Sequence, residues 1–174
     1  MPPITEKAKR IRLAIFDVDG VLTDGSLYLT DGGEEIKAYN SLDGHGLKML
    51  RESGVELAII TGRTSRSVEL RAKNLGIELL YQGAADKAQA YTALLAARSI
   101  DAAATAYMGD DVVDLPVLIR CGLALCVPHA PLIVREHADY VTRAAGGRGA
   151  VREVCELIMH AQGTLQGALA AYLK

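Results

Sequence analysis

The stretch Ile11-Arg12-Leu13-Ala14-Ile15-Phe16, running into Asp17-Val18-Asp19-Gly20, most constrains what this chain can fold into. A short apolar run ended by polar residues reads as a buried strand. Side chains at i and i+2 share one face of a strand, so Asp17 and Asp19 crowd together where it ends. Two carboxylates that close raise each other's pKa values and call for a compensating cation. Oxygen ligands at a strand end suit a hard ion, Mg²⁺ above all. Gly20 lets the backbone turn sharply straight afterwards. An EF-hand loop needs Gly at its sixth position and Glu at its twelfth. Here Gly20 comes fourth and Val21-Leu22 follows, which excludes that loop. Taken alone, Asp-Val-Asp fits a polar loop after a buried strand as well as it fits a metal site. The rest of the chain decides.

Downstream, strand and helix patterns alternate. Expected strands are Val55–Ile60, Ile77–Tyr81, Thr105–Met108, Leu123–Val127 and a short Tyr140-Val141. Expected helices are Leu47–Ser53, one capped by Ser65 or Ser67 and ended by Gly76, and one from Asp86-Lys87 to about Arg98. Further helices start at Asp114 or Leu115, span Pro131–His137, and run from about Val151 to Tyr172 with a break near Gly163. Two alternating segments, Ser26–Thr30 and Glu34–Tyr39, flank Asp31-Gly32-Gly33 and predict a hairpin. Asn40–Gly46 reads as a loop by composition, and Gly146/Gly147/Gly149 as turns. This alternation predicts an open, mostly parallel α/β sheet with helices on both faces. Such folds bind ligands beyond the carboxyl ends of their strands. With 174 residues, half of them hydrophobic, one compact domain over 1–174 is expected, with a flap at about 25–39 and a tail at about 146–174.

Several function classes fall away. A net charge of -2 favours neither nucleic acid nor a membrane surface. No apolar run is long enough to span a bilayer, and Met1–Arg10 lacks the apolar stretch of a signal peptide. Cys121, Cys126 and Cys155 are odd in number and lack metal spacing, so they read as free thiols in a reducing, cytoplasmic compartment. There is no G-x-x-x-x-G-K-[ST] and no G-x-S-x-G. His45, His129, His137 and His160 have no metal-ligand spacing.

What remains falls at strand ends: Asp17/Asp19, Thr61-Gly62-Arg63 and Asp110-Asp111. Phosphoryl transfer needs a nucleophile, a metal and donors for the equatorial oxygens. Asp17 suits the nucleophile, forming an aspartyl-phosphate, and Asp19 the acid and base. Thr61 offers a hydroxyl and a backbone N–H. Lys87 offers charge near a helix start, and Asp110 completes a Mg²⁺ shell. Asp111 or Asp114 would hold waters or Lys87 from behind. Each has an ordinary use as well. Thr61 suits a helix cap, Lys87 a solvated helix face, and Asp110-Asp111 a helix N-terminus. The joint placement is what speaks for chemistry.

Phe16–Thr23, Thr61-Gly62-Arg63, Lys87 and Gly109–Asp114 together resemble the four motifs of haloacid dehalogenase-type phosphatases. Thr23-Asp24-Gly25, Asn40–Gly46 and Gly146–Glu153 extend the resemblance over nearly the whole chain, toward members acting on a sugar-acid phosphate. The resemblance implies a three-layer Rossmann-like fold with a hairpin flap and no separate cap domain. It implies Mg²⁺ bound by the Asp17 carboxylate, the Asp19 backbone carbonyl and Asp110. It implies substrate contacts from Asp19, from Asn40, Ser41, Leu42, Asp43 and Gly44, and from Lys48, Arg63, Arg71 and Lys87. Ser41-Leu42 departs from the pattern, lacking a basic residue that many relatives carry there. The family also forms homotetramers.

Spacing independently points to an oligomer. The 37 residues between Thr23 and Thr61, and the 25 between Thr61 and Lys87, leave no room for a lid domain beside the sheet's own helices. A neighbouring subunit would then shield the site, through the hairpin Gly25–Tyr39 and the segment Gly146–Glu153. The competing readings are a phosphatase for a nine-carbon sialic-acid-type phosphate, a phosphomutase, and a non-catalytic regulatory relative.

Overall fold

The structure, a computed structural model, describes residues 3–173. In chain order its strands are β1 (Leu13–Phe16), β2 (Tyr28–Leu29), β3 (Glu35–Ile36), β4 (Glu56–Ile60), β5 (Leu79–Tyr81), β6 (Thr105–Gly109), β7 (Leu123–Cys126) and β8 (Tyr140–Val141). Its helices are α1 (Ile4–Lys9), α2 (Ser41–Glu52), α3 (Arg66–Leu75), α4 (Lys87–Arg98), α5 (Leu115–Leu118), α6 (Leu132–Glu136), α7 (Ala150–Gln162) and α8 (Leu165–Ala170).

Six strands form one sheet in the order β5-β4-β1-β6-β7-β8, with every pairing parallel. Helices pack around it. All four residues of β1 are buried, as a strand covered on both faces requires. The chain leaves β1 for β4 on one side and later returns to β6 on the other, so β1 is where the winding reverses. A crevice therefore opens beyond its carboxyl end. The small hairpin β2–β3 stands apart as a two-stranded sheet.

The structure corrects the expected loop at Asn40–Gly46. Asn40 is the N-cap of α2, accepting from the N–H groups of Leu42 (2.8 Å) and Asp43 (3.2 Å). Gly44 and Gly46 lie inside the helix, where a Cβ would press on Arg71 of α3 and Arg152 of α7 respectively. The glycines are there for close helix packing rather than for a turn. Composition signals a loop, and tertiary contact outweighs the cost of glycine in a helix. Residues 4–9, read above only for targeting, form α1 and pack against α7. The tail breaks at Gly163, in the left-handed region at φ 72°, and Asp86 caps α4 as its position predicts.

Asp43 is the joint of this packing. It is buried, and its carboxylate accepts from the N–H groups of Gly149 (3.2 Å) and Arg152 (2.8 Å) at the start of α7. One helix thus caps another across more than a hundred residues of sequence. Asp43→Ala removes this cap and leaves buried donors unpaired, so unfolding in urea should show a loss of about 2 kcal/mol.

Candidate active site

The cleft beyond β1 has a volume of about 380 Å³ and is lined by Asp17, Asp19, Thr61, Arg63, Lys87 and Asp110, among others. Asp17 ends β1 with one oxygen accepting from Val18 N–H (2.7 Å) and the other from Lys87 Nζ (2.7 Å). Lys87 opens α4 and is 4% exposed. Its ammonium also donates to Asp114 Oδ1 (2.6 Å). Asp114 is fully buried and takes three more donors: the Tyr107 hydroxyl (2.6 Å) and the N–H groups of Asp110 (2.9 Å) and Asp111 (3.1 Å).

Asp17, Asp110 and Asp114 bring oxygens within 4.8 Å of one another. Asp114 is already saturated on both oxygens, so it positions its neighbours. Among the described residues no donor reaches the Asp110 carboxylate. Burial, then repulsion by Asp114, pushes Asp17 up to about 6 against the pull of Lys87. Burial, then Asp114 and Asp17, pushes Asp110 up to about 7. Three carboxylates face one ammonium, and the surplus charge with its open oxygens fits a hard divalent cation held by Asp17 and Asp110. Gly20 keeps the space open. Its φ of 84° suits glycine, and a Cβ there would overlap the Asp110 carboxylate.

Asp19 stands at the rim, with Lys37 Nζ donating to its Oδ1 and Arg63 Nε at 4.0 Å from its Oδ2. Thr61 is buried at the end of β4. Its N–H is committed to the Tyr81 carbonyl of β5 (2.9 Å), which corrects the expectation that it reaches a phosphate. The hydroxyl is the part left open. Asp111 is exposed and caps the short turn Val112–Asp114 through Val112 N–H (2.7 Å).

Comparison with known proteins adds a name to this geometry. Residues 80–153 match the haloacid dehalogenase-like hydrolases. The chain is 49% identical, over 95% of its length and 88% of the relative's, to the 3-deoxy-D-manno-octulosonate 8-phosphate phosphatase KdsC of Yersinia pestis. It is 50% identical to that of Escherichia coli K12 over the same shares. This chain belongs to the haloacid dehalogenase-like hydrolases. Among solved structures, a probable YrbI-family phosphatase of Pseudomonas syringae pv. phaseolica superposes with a TM-score of 0.97 at 54% identity, covering 98% of this chain and 97% of that one. The Moraxella catarrhalis 3-deoxy-D-manno-octulosonate 8-phosphate phosphatase, solved with magnesium, phosphate and KDO, superposes at 0.95 with 44% identity over 97% of each chain.

Not every residue expected at a haloacid dehalogenase-like site lines the cleft. Asn40, Ser41, Leu42, Asp43, Gly44, Lys48 and Arg71 do not line it in this chain. Asn40 and Asp43 are occupied as helix caps. Arg71 donates to the Asn40 carbonyl (3.0 Å) and lies over the Tyr39 ring at 5.5 Å. Gly146 and Gly147 pack on the backbone of Gly20 and Thr23 in the same chain, and Glu153 accepts from Tyr140 and the Arg143–Ala144 backbone. Sequence reasoning missed Lys37, Glu35 and Tyr107. The signal for the first two was present: Glu35, Lys37 and Tyr39 alternate onto one face of the hairpin.

A carboxyl with a raised pKa binds its proton more tightly in the folded chain. For Asp110 the stability it contributes is therefore lost as pH rises through about 7. A bound cation offsets that loss. Mg²⁺ should raise the melting temperature more at pH 8 than at pH 6, and calorimetry near pH 6.5 should detect protons released on binding.

Proposed function

We propose that this protein is a Mg²⁺-dependent phosphatase that hydrolyses 3-deoxy-D-manno-octulosonate 8-phosphate to 3-deoxy-D-manno-octulosonate and phosphate, in the supply of lipopolysaccharide precursor. The observation that carries it is the Asp17 carboxylate at the end of β1, 2.7 Å from buried Lys87 and beside Asp110, in a chain about half identical to phosphatases of that name. The same relatives favour the eight-carbon sugar over a nine-carbon one. The intact set Asp17, Asp19, Lys87 and Asp110 speaks against a non-catalytic regulator.

Asp17 attacks phosphorus, forming an aspartyl-phosphate, while Asp19 protonates the departing sugar oxygen. Asp19 then takes a proton from the water that releases phosphate. Lys87 neutralises phosphate and Asp17 together, and the Thr61 hydroxyl holds an equatorial oxygen. Asp17, Asp110 and the Asp19 carbonyl hold Mg²⁺, which supplies positive charge for the phosphoryl oxygens. Arg63, half exposed at the rim, suits the sugar's carboxylate.

We place residues 1–174 in one catalytic domain without a cap insertion, assembled as a homotetramer in the cytoplasm. Exposed apolar side chains on the hairpin support the assembly: Leu27, Tyr28, Leu29 and Ile36 are each at least half exposed. A neighbour docked there would bring further substrate contacts, and Ser41, Leu42, Lys48 and Arg71 are its candidates. Three free cysteines support a reducing compartment. Among the described residues no helix is long and apolar enough to cross a membrane.

A phosphate-release screen over sugar phosphates tests this. The expected result is Mg²⁺-dependent release, with kcat/KM at least about tenfold higher on the eight-carbon than on the nine-carbon phosphate. Equal rates would remove the substrate assignment. Asp17→Asn should lower kcat on the order of a thousandfold or more with the melting temperature kept. Asp110→Ala should raise the Mg²⁺ concentration for half-maximal activity about tenfold or more. An unchanged Mg²⁺ dependence would withdraw that ligand.

A further inference from the structure

Two lysines are buried among the described residues, Lys87 and Lys37. The mechanism above employs the first and leaves the second without a task. The Lys37 side chain is 1% exposed. Its ammonium donates to Asp19 Oδ1 and lies 2.8 Å from Glu35 Oε1. The other Glu35 oxygen accepts from Arg63 Nε at 3.0 Å. The Asp19 carboxylate thus has Lys37 on one oxygen and Arg63 near the other.

Burying an ammonium is costly unless charge partners and hydrogen bonds compensate it. The hairpin has little else to hold it. Its ladder consists of Tyr28↔Ile36 and Leu29↔Glu35, and an isolated hairpin of that size is marginal in water. Lys37 follows β3 directly, so its grip on Asp19 joins the hairpin to the turn after β1.

We propose that Lys37 is a positioning residue that acts through Asp19, holding this carboxylate in the rotamer that delivers a proton to the departing sugar oxygen. The role rests on the phosphatase reading above. In the step concerned, the bond from Asp17 oxygen to phosphorus forms and the bond from phosphorus to the sugar oxygen breaks. The electron pair goes to the sugar oxygen, which takes its proton from Asp19. Lys37 keeps all of its protons. Leaving-group protonation then depends on the hairpin being seated.

The test compares leaving groups on the full-length protein with Mg²⁺. A sugar alkoxide needs a proton to depart, whereas p-nitrophenolate departs without one. The parameter kcat/KM reports steps only as far as leaving-group departure, so release of phosphate from Asp17 does not enter. In Lys37→Met, kcat/KM on the sugar phosphate should fall about tenfold to a hundredfold further than on p-nitrophenyl phosphate. A role confined to folding lowers both alike, and an unchanged ratio of the two overturns the proposal. Should the Met variant fail to fold, Lys37→Gln keeps a donor without the charge. Its ratio should still fall at least about threefold, and an unchanged ratio again overturns the role. Should the wild-type protein hydrolyse p-nitrophenyl phosphate and a different alkyl phosphate but not the octulosonate ester, the substrate assignment fails. The ratio is then taken on that alkyl phosphate. Should it hydrolyse neither class, the phosphatase reading falls and this role falls with it.

Discussion

One buried ammonium shared by two carboxylates holds the site together. Lys87 sits between Asp17 and Asp114 at 2.7 and 2.6 Å, and through them it ties the start of α4 to the end of β1 and to the turn after β6. Asp114 extends the tie to the Tyr107 hydroxyl and to the backbone that presents Asp110. Removing the ammonium itself would leave two buried carboxylates without their cation, at a cost of about 3–5 kcal/mol, whereas losing Asp17 alone leaves Lys87 still paired with Asp114. The same arrangement leaves carboxylate charge in excess. Burial first, and that excess second, raise Asp17 and Asp110 above the usual carboxylate range, and the excess makes the cleft a seat for a divalent cation.

The turn after β1 is braced from several directions. The hairpin reaches it through Lys37 and Asp19. The loop after β6 reaches it where Asp110 packs on Gly20. The tail reaches it through Gly147 N–H, which donates to the Val21 carbonyl at 2.9 Å, and through Arg148, which donates to Asp24 at 3.2 Å. Segments from the beginning, middle and end of the chain therefore converge on a few residues. An acid/base carboxylate benefits from this, since proton transfer demands a position held to fractions of an ångström.

Packing on the far side of α2 follows a similar logic. Gly44 and Gly46 admit arginines from α3 and α7 at distances a methyl group would forbid. Asp43, just before Gly44, caps α7. A stretch rich in small and polar residues is thus a helix because its neighbours fit into it.

The sheet, its parallel sense, the strand-end position of Asp17, Thr61 and Asp110, and the helix-start position of Lys87 were all determined by sequence alone. Periodicity, caps and turn residues are local, and a strand that runs into a carboxylate reads the same in any context. Tertiary structure alone decided that Asn40 caps a helix running through Ser41–Gly46, that Asp43 serves α7, that Thr61 N–H is taken by Tyr81, and that Lys37 is buried against Asp19. Each of these depends on a partner distant in sequence or on a surface it packs against. Burial and hydrogen-bond pairing are properties of the assembled interior, and no local pattern states which distant group will complete them.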